Sequence, residues 1–445
     1  MTSDLTDLSQ SNTDLRQELF DRLDADSLGP KWLLPVRKSA VARFADAGFP
    51  TTKQEDWRFT DVSAIKELAL KPVFQAELSS ELDGKVATRS LVASVEACRL
   101  VFVDGVFQSK LSSPALEQSG VFVKDLKGAF EVDPLHFQEH LTRNSESDQN
   151  AFTALNTAYF TDGAVIKISK DTVVDPILHL VFVSTGREDG MTIQPRNLVT
   201  VERGASVTMV EEYLGLDGGA KTLTNSVTEF VVGENARVEH VKIQDETKEA
   251  FHIGGIYAQL DRCSHFRSHS LALGAKLSRN NIRTKLNGEG LACVLNGLYL
   301  TNGTRLADHH MVVEHAKPHC ESHEYFNGIL DDESRGVFHG RILVQPHAQK
   351  TDAKQTNKNL LLSDSATANT KPQLEIYADD VKCTHGATIG QMDEEAIFYL
   401  RARGVPHAVA RRMLMHAFAG EIIERIESEP LRECLDKVVW NRLEA

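Results

Sequence analysis

The sequence predicts a mainly β protein whose core is a β-solenoid lying between two helical segments. Apolar residues recur at helical spacing before about residue 97 and after about residue 391. Between residues 98 and 390, apolar and polar residues alternate in many short runs, as in strands with one buried face. Similar short turns recur there about every 30 residues, which is typical of stacked solenoid coils. These observations predict three domains, 1–97, 98–390 and 391–445.

The composition is that of an ordinary globular protein with an acidic balance. The chain has 445 residues, and 49 basic against 63 acidic side chains give a net charge of −14. This balance disfavours a nucleic-acid binder, and no run approaches the roughly 20 apolar residues that span a membrane. The acidic start lacks the basic and apolar regions of a leader. Six scattered cysteines without a CxxC pair favour reduced thiols. We therefore expect a cytoplasmic protein without membrane or nucleic-acid partners.

Two helices and a polar loop are predicted in the N-terminal domain. The first helix places Leu15, Leu19 and Leu23 on one face. The second covers about residues 35–47 and ends before a Gly-Phe-Pro breaker. In the polar stretch that follows, we expect a loop whose Trp57 fills a neighbouring core.

The β region begins with a predicted hairpin and continues as a repeat. Residues 98–111 are typical of a strand, an Asp104-Gly105 turn and a second strand. A helical or loop-like stretch follows near residues 125–160. The spacings of later turns are 31, 28, 27 and 45 residues when these are aligned by eye at Ala205, Ala236, Ser264, Leu291 and Gly336. This period favours a solenoid, and an antiparallel sandwich with similar hairpins is the alternative.

Three helices are predicted at the C-terminus. Asp393 can cap the first of them, and Gly404 ends it. The second carries a predicted apolar stripe of Val409, Met413, Phe418, Ile422 and Ile426. A final helix follows. Helices in this position either cap the open end of a solenoid or present a surface to a partner.

Known catalytic motifs are missing from the sequence. No G-x-x-x-x-G-K-[ST] phosphate loop, G-x-S-x-G or H-E-x-x-H occurs, so we do not expect the chain to hydrolyse ATP by itself. Six potential metal ligands lie within fifteen positions, at His309, His310, His315, His319, Cys320 and His323. Such groups can bind iron or zinc. Neighbouring strand residues point to opposite faces, however, which favours hydrogen-bonding roles on the faces of the solenoid.

Two Cys-x-His pairs, Cys263 with His265 and Cys383 with His385, offer a second metal-binding pattern. On a strand, residues two apart project from one face with roughly 6.6 Å between Cα atoms. Both side chains can then converge on one iron or sulfur atom. Two ligands do not complete a four-ligand site, so the others would come from another chain or from the sulfides of a cluster. A buried cysteine beside a hydrogen-bonded histidine is the alternative.

The stretch from Gln349 to Gly404, which includes VKCTHGATIGQMDEEAIFYLRARG, resembles the SufB/SufD family of iron–sulfur cluster assembly scaffolds. The upstream DHHMVVEHAKPHCESHEYFNGIL and the N-terminal FPTTKQEDWRFTDVSAIK resemble the same family. Gly386 follows His385, and this is similar to the SufD branch of the family, whereas SufB chains typically have glutamate there.

The resemblance implies a right-handed parallel β-helix core flanked by N-terminal and C-terminal helical domains. It implies pairing with SufB and binding of SufC, an ABC-type ATPase, so that a transient iron–sulfur cluster is built at the SufB interface. The chain would then be a non-catalytic scaffold with no nucleotide of its own, and a homodimer when alone. A flavin in the complex is not identifiable from this sequence.

The resemblance also implies site residues. His385, with Cys383 as its companion, is expected at the SufB interface as a candidate transient cluster ligand. SufC is expected to dock on the C-terminal helices, because arginine and aromatic residues are enriched at interface hot spots. The residues expected there are Phe398, Arg401, Arg403, Arg411, Arg412, Met413 and Phe418. A capping bundle with a solvated basic face is the alternative. Two other functions stay open, a β-helix enzyme and a stand-alone metal-binding protein that uses residues 309–323.

Overall fold

The computed structural model describes residues 29–77, 81–146, 148–216 and 219–443. The first predicted helix, with Leu15, Leu19 and Leu23, lies outside these residues. The described chain forms a parallel β-solenoid of about eight turns with helices at both ends, so the predicted fold class is confirmed. The antiparallel sandwich is wrong, because the stacked strands pair in parallel.

Two long sheets form opposite walls of the solenoid, with strands numbered in chain order. The first sheet contains β1 (Lys71–Pro72), β4 (Val121–Asp125), β5 (Ala164–Ile168), β7 (Met191–Ile193), β8 (Arg196–Val201), β10 (Leu223–Val232), β12 (Phe251–Leu260), β14 (Leu277–Leu286), β16 (Leu306–His315), β18 (Arg335–Val344) and β20 (Thr367–Ile376). The second contains β2 (Ala97–Val103), β3 (Val106–Phe107), β6 (Ile177–Ser184), β9 (Ser206–Gly215), β11 (Arg237–Asp245), β13 (His265–Ala272), β15 (Ala292–Thr301), β17 (Glu321–Leu330), β19 (Asp352–Leu361) and β21 (Lys382–Gln391).

Strands β2 and β3 form the hairpin that the sequence predicts. Asp104 and Gly105 have φ angles of 49° and 82°. Two consecutive residues with positive φ are what a tight two-residue hairpin turn requires, because its twist then matches that of the strands. Aspartate and glycine are among the residues that adopt this conformation most readily.

The repeat predicted from the sequence is correct over its first four positions. Backbone hydrogen bonds run from Arg237, His265 and Ala292 back to the carbonyls of Ala205, Ala236 and Ser264, so these positions stack at the entry of the second sheet. Glu321 donates in the same way to Leu291. The next equivalent position is therefore Cys320.

The placement of Gly336 as the fifth repeat position is wrong. Gly336 lies in β18 of the first sheet, where it pairs with Ala307. The 45-residue step therefore spans about one and a half turns of the solenoid instead of one. Strands of both walls show the same alternation of apolar and polar residues, so the pattern alone does not distinguish them.

Nine α-helices accompany the sheets in the described residues. They are α1 (Leu33–Ala47), α2 (Ser63–Lys66), α3 (Leu82–Arg89), α4 (Leu126–Val132), α5 (Pro134–His140), α6 (Ala151–Tyr159), α7 (Glu394–Ala402), α8 (His407–Ile423) and α9 (Glu429–Arg442). None of them is long and apolar enough to cross a membrane.

The N-terminal segment lies on the outer face of the first sheet. Trp57, at the end of a 3₁₀ turn that begins at Glu55, is buried with its ring 5.5 Å from that of Phe152. The Arg279 guanidinium stacks on the same indole at 3.8 Å, a cation–π contact. Trp57 therefore fills a neighbouring core, as the sequence predicts.

The C-terminal helices lie against the outer face of the second sheet. Ile422 of α8 and Leu435 of α9 share an apolar cluster with Val241, Leu298 and Ile329 of the strands. Helices α8 and α9 therefore flank the solenoid. Of the two alternatives that the sequence left open, this position favours a surface for a partner over a cap on the open end.

The predicted apolar stripe on α8 is only partly correct. Val409 and Met413 are 42% and 41% exposed, whereas Ile422 and Ile426 are buried. Steps of four and five residues drift around a helix, because its period is 3.6 residues. The buried face is formed instead by Ala410, Met415, Ala419, Ile422 and Ile423.

Candidate functional site

The last turn of the solenoid is open. Strands β20 and β21 end the two sheets, and no other described strand pairs with their outer edges. Each strand is ten residues long, and most of β21 is exposed. An unpaired strand edge of this length is a template for pairing with another chain.

Cys383 and His385 lie on one face of β21, as their spacing predicts. Their parallel partners on β19 are Ala353 and Gln355, which point into the solenoid. Cys383 is half-buried against a small apolar cluster that includes Ala353, and burial raises the pKa of its thiol. His385 is exposed. At the open end, the structure thus brings together a neutral thiol and an accessible imidazole.

The other Cys-x-His pair is arranged differently. Cys263 lies in the turn before β13, with a left-handed φ of 53°, whereas His265 is the first residue of that strand. The expectation that both side chains project from one strand face is therefore wrong for this pair. A tight turn between solenoid coils interrupts the alternation, which the sequence spacing does not reveal.

A row of polar side chains runs inward from His385. The parallel register aligns His385 with Gln355 and Gln355 with Glu324. Gln355 Nε2 donates to Glu324 Oε2 at 3.4 Å, while Glu324 Oε1 and Gln355 Oε1 have no hydrogen-bond partner in the described structure. Burial raises the pKa of Glu324 to about 8, so at neutral pH this side chain is mainly protonated.

A second polar cluster occupies the middle of the solenoid. Lys242 is buried between Glu211 and Glu246, and Glu246 Oε2 lies 2.8 Å from Nδ1 of His252. Burial lowers the pKa of Lys242 to about 8, while the two carboxylates oppose that shift. Tyr213 donates to Glu211 Oε2 at 2.9 Å. The positive charge of Lys242 compensates the two carboxylates in the interior, where an isolated charge would be costly.

The sequence analysis found His385 but neither the polar row behind it nor the interior cluster around Lys242. Glu324, Gln355 and His385 are separated by 31 and 30 residues, and the interior cluster also spans successive coils. The repeat period itself was the available signal, because residues one period apart on the same face stack in neighbouring strands. Once the strands are placed in register, the polar rows can be read directly.

The six ligands of the His-rich segment do not converge. His309 faces inward between the rings of Tyr299 and Phe326, at 5.3 and 5.2 Å. His310 lies on the outer face of β16, His323 is half-exposed on β17, and His319 lies in a turn. His315 is hydrogen-bonded to Ser322 Oγ at 2.9 Å, and Cys320 donates to the Gly288 carbonyl. The six groups therefore do not form a single site.

Comparison with known proteins identifies the family. Residues 182–418 match the description "SUF system FeS cluster assembly, SufBD core domain", and residues 8–180 match "SufBD protein N-terminal region". The chain belongs to the SufBD family. It is therefore an iron–sulfur cluster assembly protein, as the resemblance implies.

Individual relatives of this SufBD chain cover nearly its whole length. It is 32% identical to the iron–sulfur cluster assembly protein SufD of Escherichia coli, over 92% of this chain and 93% of that one. A SufBD family protein of Synechocystis is 33% identical, over 92% and 90% of the two chains. SufD of Bacillus subtilis is 24% identical, over 96% and 98%. The chain is thus a SufD homologue.

The C-terminal helices of this SufBD chain carry a second exposed surface. Phe398 and Tyr399 of α7 are 73% and 56% exposed. Arg403 lies with its guanidinium 4.4 Å above the Tyr399 ring, and Arg401 is exposed nearby in sequence. Exposed aromatic and arginine side chains in one patch are typical of a protein-binding surface.

The other predicted docking residues are bound to the chain itself to different extents. Arg412 stacks on Trp440 at 3.8 Å and donates to its carbonyl oxygen at 2.7 Å. Arg411 reaches the Leu362 carbonyl at 3.4 Å, and Phe418 is half-buried. Of the four predicted arginines, only Arg401 and Arg403 are exposed. Arg411 and Arg412 of α8 bond to neighbouring elements of the chain instead.

Proposed function

We propose that this chain is a non-catalytic scaffold subunit that pairs with a SufB subunit in the cytoplasm. The pair binds SufC subunits, and a nascent iron–sulfur cluster is built where the two scaffolds meet. The open last turn supports this proposal most strongly, because it leaves a ten-residue strand unpaired on each wall of the solenoid. A second solenoid with a similar end can continue both sheets.

The hydrogen-bonding groups of the two edges differ. In a parallel strand, alternate residues bond to opposite neighbours. Thr367 donates to Ser334 beside β18, and Tyr377 donates to Val344 of β18. The nitrogen of Pro372, five residues from each, therefore faces the open edge of β20. Proline has no N–H to donate there. Lys382 donates to Thr351 beside β19, so the N–H groups of Cys383 and His385 face the open edge of β21. We therefore expect β21 to carry most of the backbone pairing.

The cluster is the product of this assembly, and two side chains of β21 are its candidate ligands. A thiolate is the usual ligand of cluster iron, and histidine replaces it in some centres. The thiol of Cys383 must lose its proton when iron binds, as metal ligands generally do. SufB and the sulfides of the cluster supply the remaining ligands. When the SufB partner is absent, the same edge accepts a second copy of this chain.

The SufC subunit, which hydrolyses ATP, docks on the exposed patch of α7 and the start of α8. Phe398, Arg401 and Arg403 belong to this patch and are exposed, and Met413 of α8 is exposed as well. Helix α8 packs on the outer face of the second sheet, and no residue of the patch belongs to β21, so we expect both partners to bind at once. Hydrolysis by the partner is consistent with the missing phosphate loop of this chain.

One experiment tests the proposal as a whole. The chain is co-expressed with SufB and SufC, the complex is isolated, and cluster yield is measured by absorbance and by iron and sulfide content. We expect His385→Ala to leave complex formation intact and to abolish most cluster formation. His323→Ala serves as the matched control, because this histidine lies on the outer face of β17. A normal yield from His385→Ala would leave the chain as architecture only.

A further inference from the structure

Two motifs that the proposed function does not use meet on the outer face of the first sheet. They are the polar loop around Trp57 and the Asp308-His309-His310 run at the start of β16. The loop is fixed there by several bonds. Arg279 donates to the Asp56 carbonyl at 2.8 Å, and Thr60 donates to Asp308 Oδ2 at 2.6 Å.

Three potential metal ligands gather at this junction. Asp56, His310 and His339 each offer one ligand atom, and these atoms lie within 4.8 Å of one another. His310 and His339 are paired across β16 and β18, and their ring centroids are 4.2 Å apart. Both histidines are buried, whereas Asp56 is exposed. A cation could therefore enter from the carboxylate side.

The protein does not satisfy the imidazole of His310. Its Nδ1 is buried without a hydrogen-bond partner in the described structure, and its Nε2 lies 3.8 Å from Asp56 Oδ1, beyond hydrogen-bond range. Buried polar groups are normally hydrogen-bonded, so an orphaned ring nitrogen needs an explanation. Neither ring nitrogen thus has a hydrogen bond in the described structure, and a bound ion would give the ring a ligand bond that the protein itself does not supply.

His339 has the outer contact that a metal ligand normally has. Its Nε2 lies 2.7 Å from Gln373 Oε1 on β20. When Nε2 donates to this amide oxygen, Nδ1 carries the lone pair. Ligating histidines almost always donate their other ring N–H in this way, which fixes the tautomer and the ring orientation.

The cations near this junction already have acidic partners. Arg279 pairs with Asp308 at 2.5 Å, and Arg341 pairs with Glu375 at 3.4 Å. Lys371 pairs with Glu55. The positive charges are thus partly neutralised, which reduces their repulsion of a further cation.

We propose that Asp56, His310 and His339 form a binding site for a divalent first-row transition-metal ion. Two imidazoles and one carboxylate suit iron(II), cobalt(II) or zinc(II), and three protein ligands leave positions open for water or an incoming ligand. Ligand bonds of about 2.0–2.2 Å require the three atoms to draw closer than they are now. The exposed side chain of Asp56 can supply most of this movement. The site is separate from the edge of β21, and the proposal does not depend on pairing with SufB.

Anaerobic titration of the tag-free full chain with Co²⁺ tests the proposal, by calorimetry and by the visible absorption of bound cobalt. The titration uses a Cys383→Ser, His385→Ala background, so that the open end cannot contribute. We expect one Co²⁺ per chain. Asp56→Asn, an exposed change that leaves the fold intact, should weaken binding at least tenfold, and His339→Ala should do the same.

His323→Ala is the control, because this histidine belongs to the same His-rich segment but lies on the other sheet. Its affinity for Co²⁺ should match that of the background chain. The proposal is overturned if the background chain binds no Co²⁺, or if Asp56→Asn and His339→Ala bind as tightly as the control. Neither result would affect the proposed scaffold function, which is tested on cluster yield.

Discussion

Glu324 shows what burial does to a single ionisable side chain near the open end. Its pKa is raised to about 8, because the carboxyl group is removed from water and is bonded only by neutral partners, Ser322 and Gln355. A protonated carboxyl can donate a hydrogen bond, which a carboxylate cannot. The row from Glu324 to His385 therefore contains a group that can release or accept a proton near neutral pH.

We predict that Glu324→Gln changes how stability depends on pH. Between the unperturbed value of 4.5 and about 8, the folded chain keeps the proton that the unfolded chain releases. The folded state of the wild type therefore loses stability as pH rises through this window, by up to about 1.4 kcal/mol per pH unit. We compare the free energies of unfolding of the variant and the wild type by urea unfolding at pH 5.5 and pH 7.5. The variant should be more stable relative to the wild type at pH 7.5 than at pH 5.5. If the free energies of unfolding of the variant and the wild type differ by the same amount at both pH values, the raised pKa of Glu324 is contradicted.

Lys242 is the matching case of a buried cation. Replacing it with methionine leaves Glu211 and Glu246 in the interior without their shared positive charge. Leaving a buried charge without compensation typically costs about 3–5 kcal/mol. We therefore predict a loss of that order in the free energy of unfolding of Lys242→Met. Lys285→Met, at a half-exposed surface lysine, should cost less than about 1 kcal/mol.

At the scale of single residues, the sequence revealed chemistry that depends on short spacing. Cys383 and His385 are two positions apart on one strand, so the pattern predicts their common face. Glu324 and Gln355 reach the same row from two other coils, and only the strand register brings them there. Their role could not be predicted from local sequence for that reason.

The strand β21 is the element on which pairing with a partner should depend. The N–H of Lys382 bonds to Thr351 on the β19 side, and alternate N–H groups of a parallel strand point to opposite sides. Ala387 is five positions further along, so its N–H faces the open edge. We predict that Ala387→Pro weakens co-purification with SufB, because proline removes this donor. Ala387→Ser keeps the N–H and is the matched control. If the proline variant binds SufB as well as the serine variant does, pairing does not use this edge.

Secondary structure was predictable at this scale where the local pattern is unambiguous. The hairpin at Asp104-Gly105 and the cap at Asp393, which accepts from the Glu395 and Ala396 amides, follow from turn and cap chemistry. The repeat failed at Gly336 because both walls share one alternation. The stripe on α8 failed because Val409 and Met413 turn away from the face that the sheet covers.

For the whole molecule, the order of helices, strands and helices was predictable, but the position of the last helices was not. Their apolar faces could cover either the end or the side of the solenoid. The outer face of the second sheet offers Val241, Leu298 and Ile329 as a partner surface, and the helices pack there. The end of the solenoid stays free as a consequence, so two separate surfaces are available to partners.

The exposed patch on α7 carries the last prediction, which rests on the proposed binding of SufC. Truncation of the C-terminal helices would uncover the apolar outer face of the second sheet and unfold part of the chain. Point changes avoid this problem. Phe398→Ser with Arg403→Glu alters two exposed side chains, and we predict a loss of SufC affinity of at least about 2 kcal/mol, or roughly thirtyfold.

The double variant should unfold at the same urea concentration as the wild type and should still co-purify with SufB, since the open turn is untouched. Val173→Ser is the control, because Val173 is an exposed apolar residue near the first strands of the solenoid and is far in sequence from α7. Calorimetric titration with purified SufC measures the difference. Undiminished SufC affinity in the double variant would move the docking surface away from α7 and towards the half-buried side chains of α8.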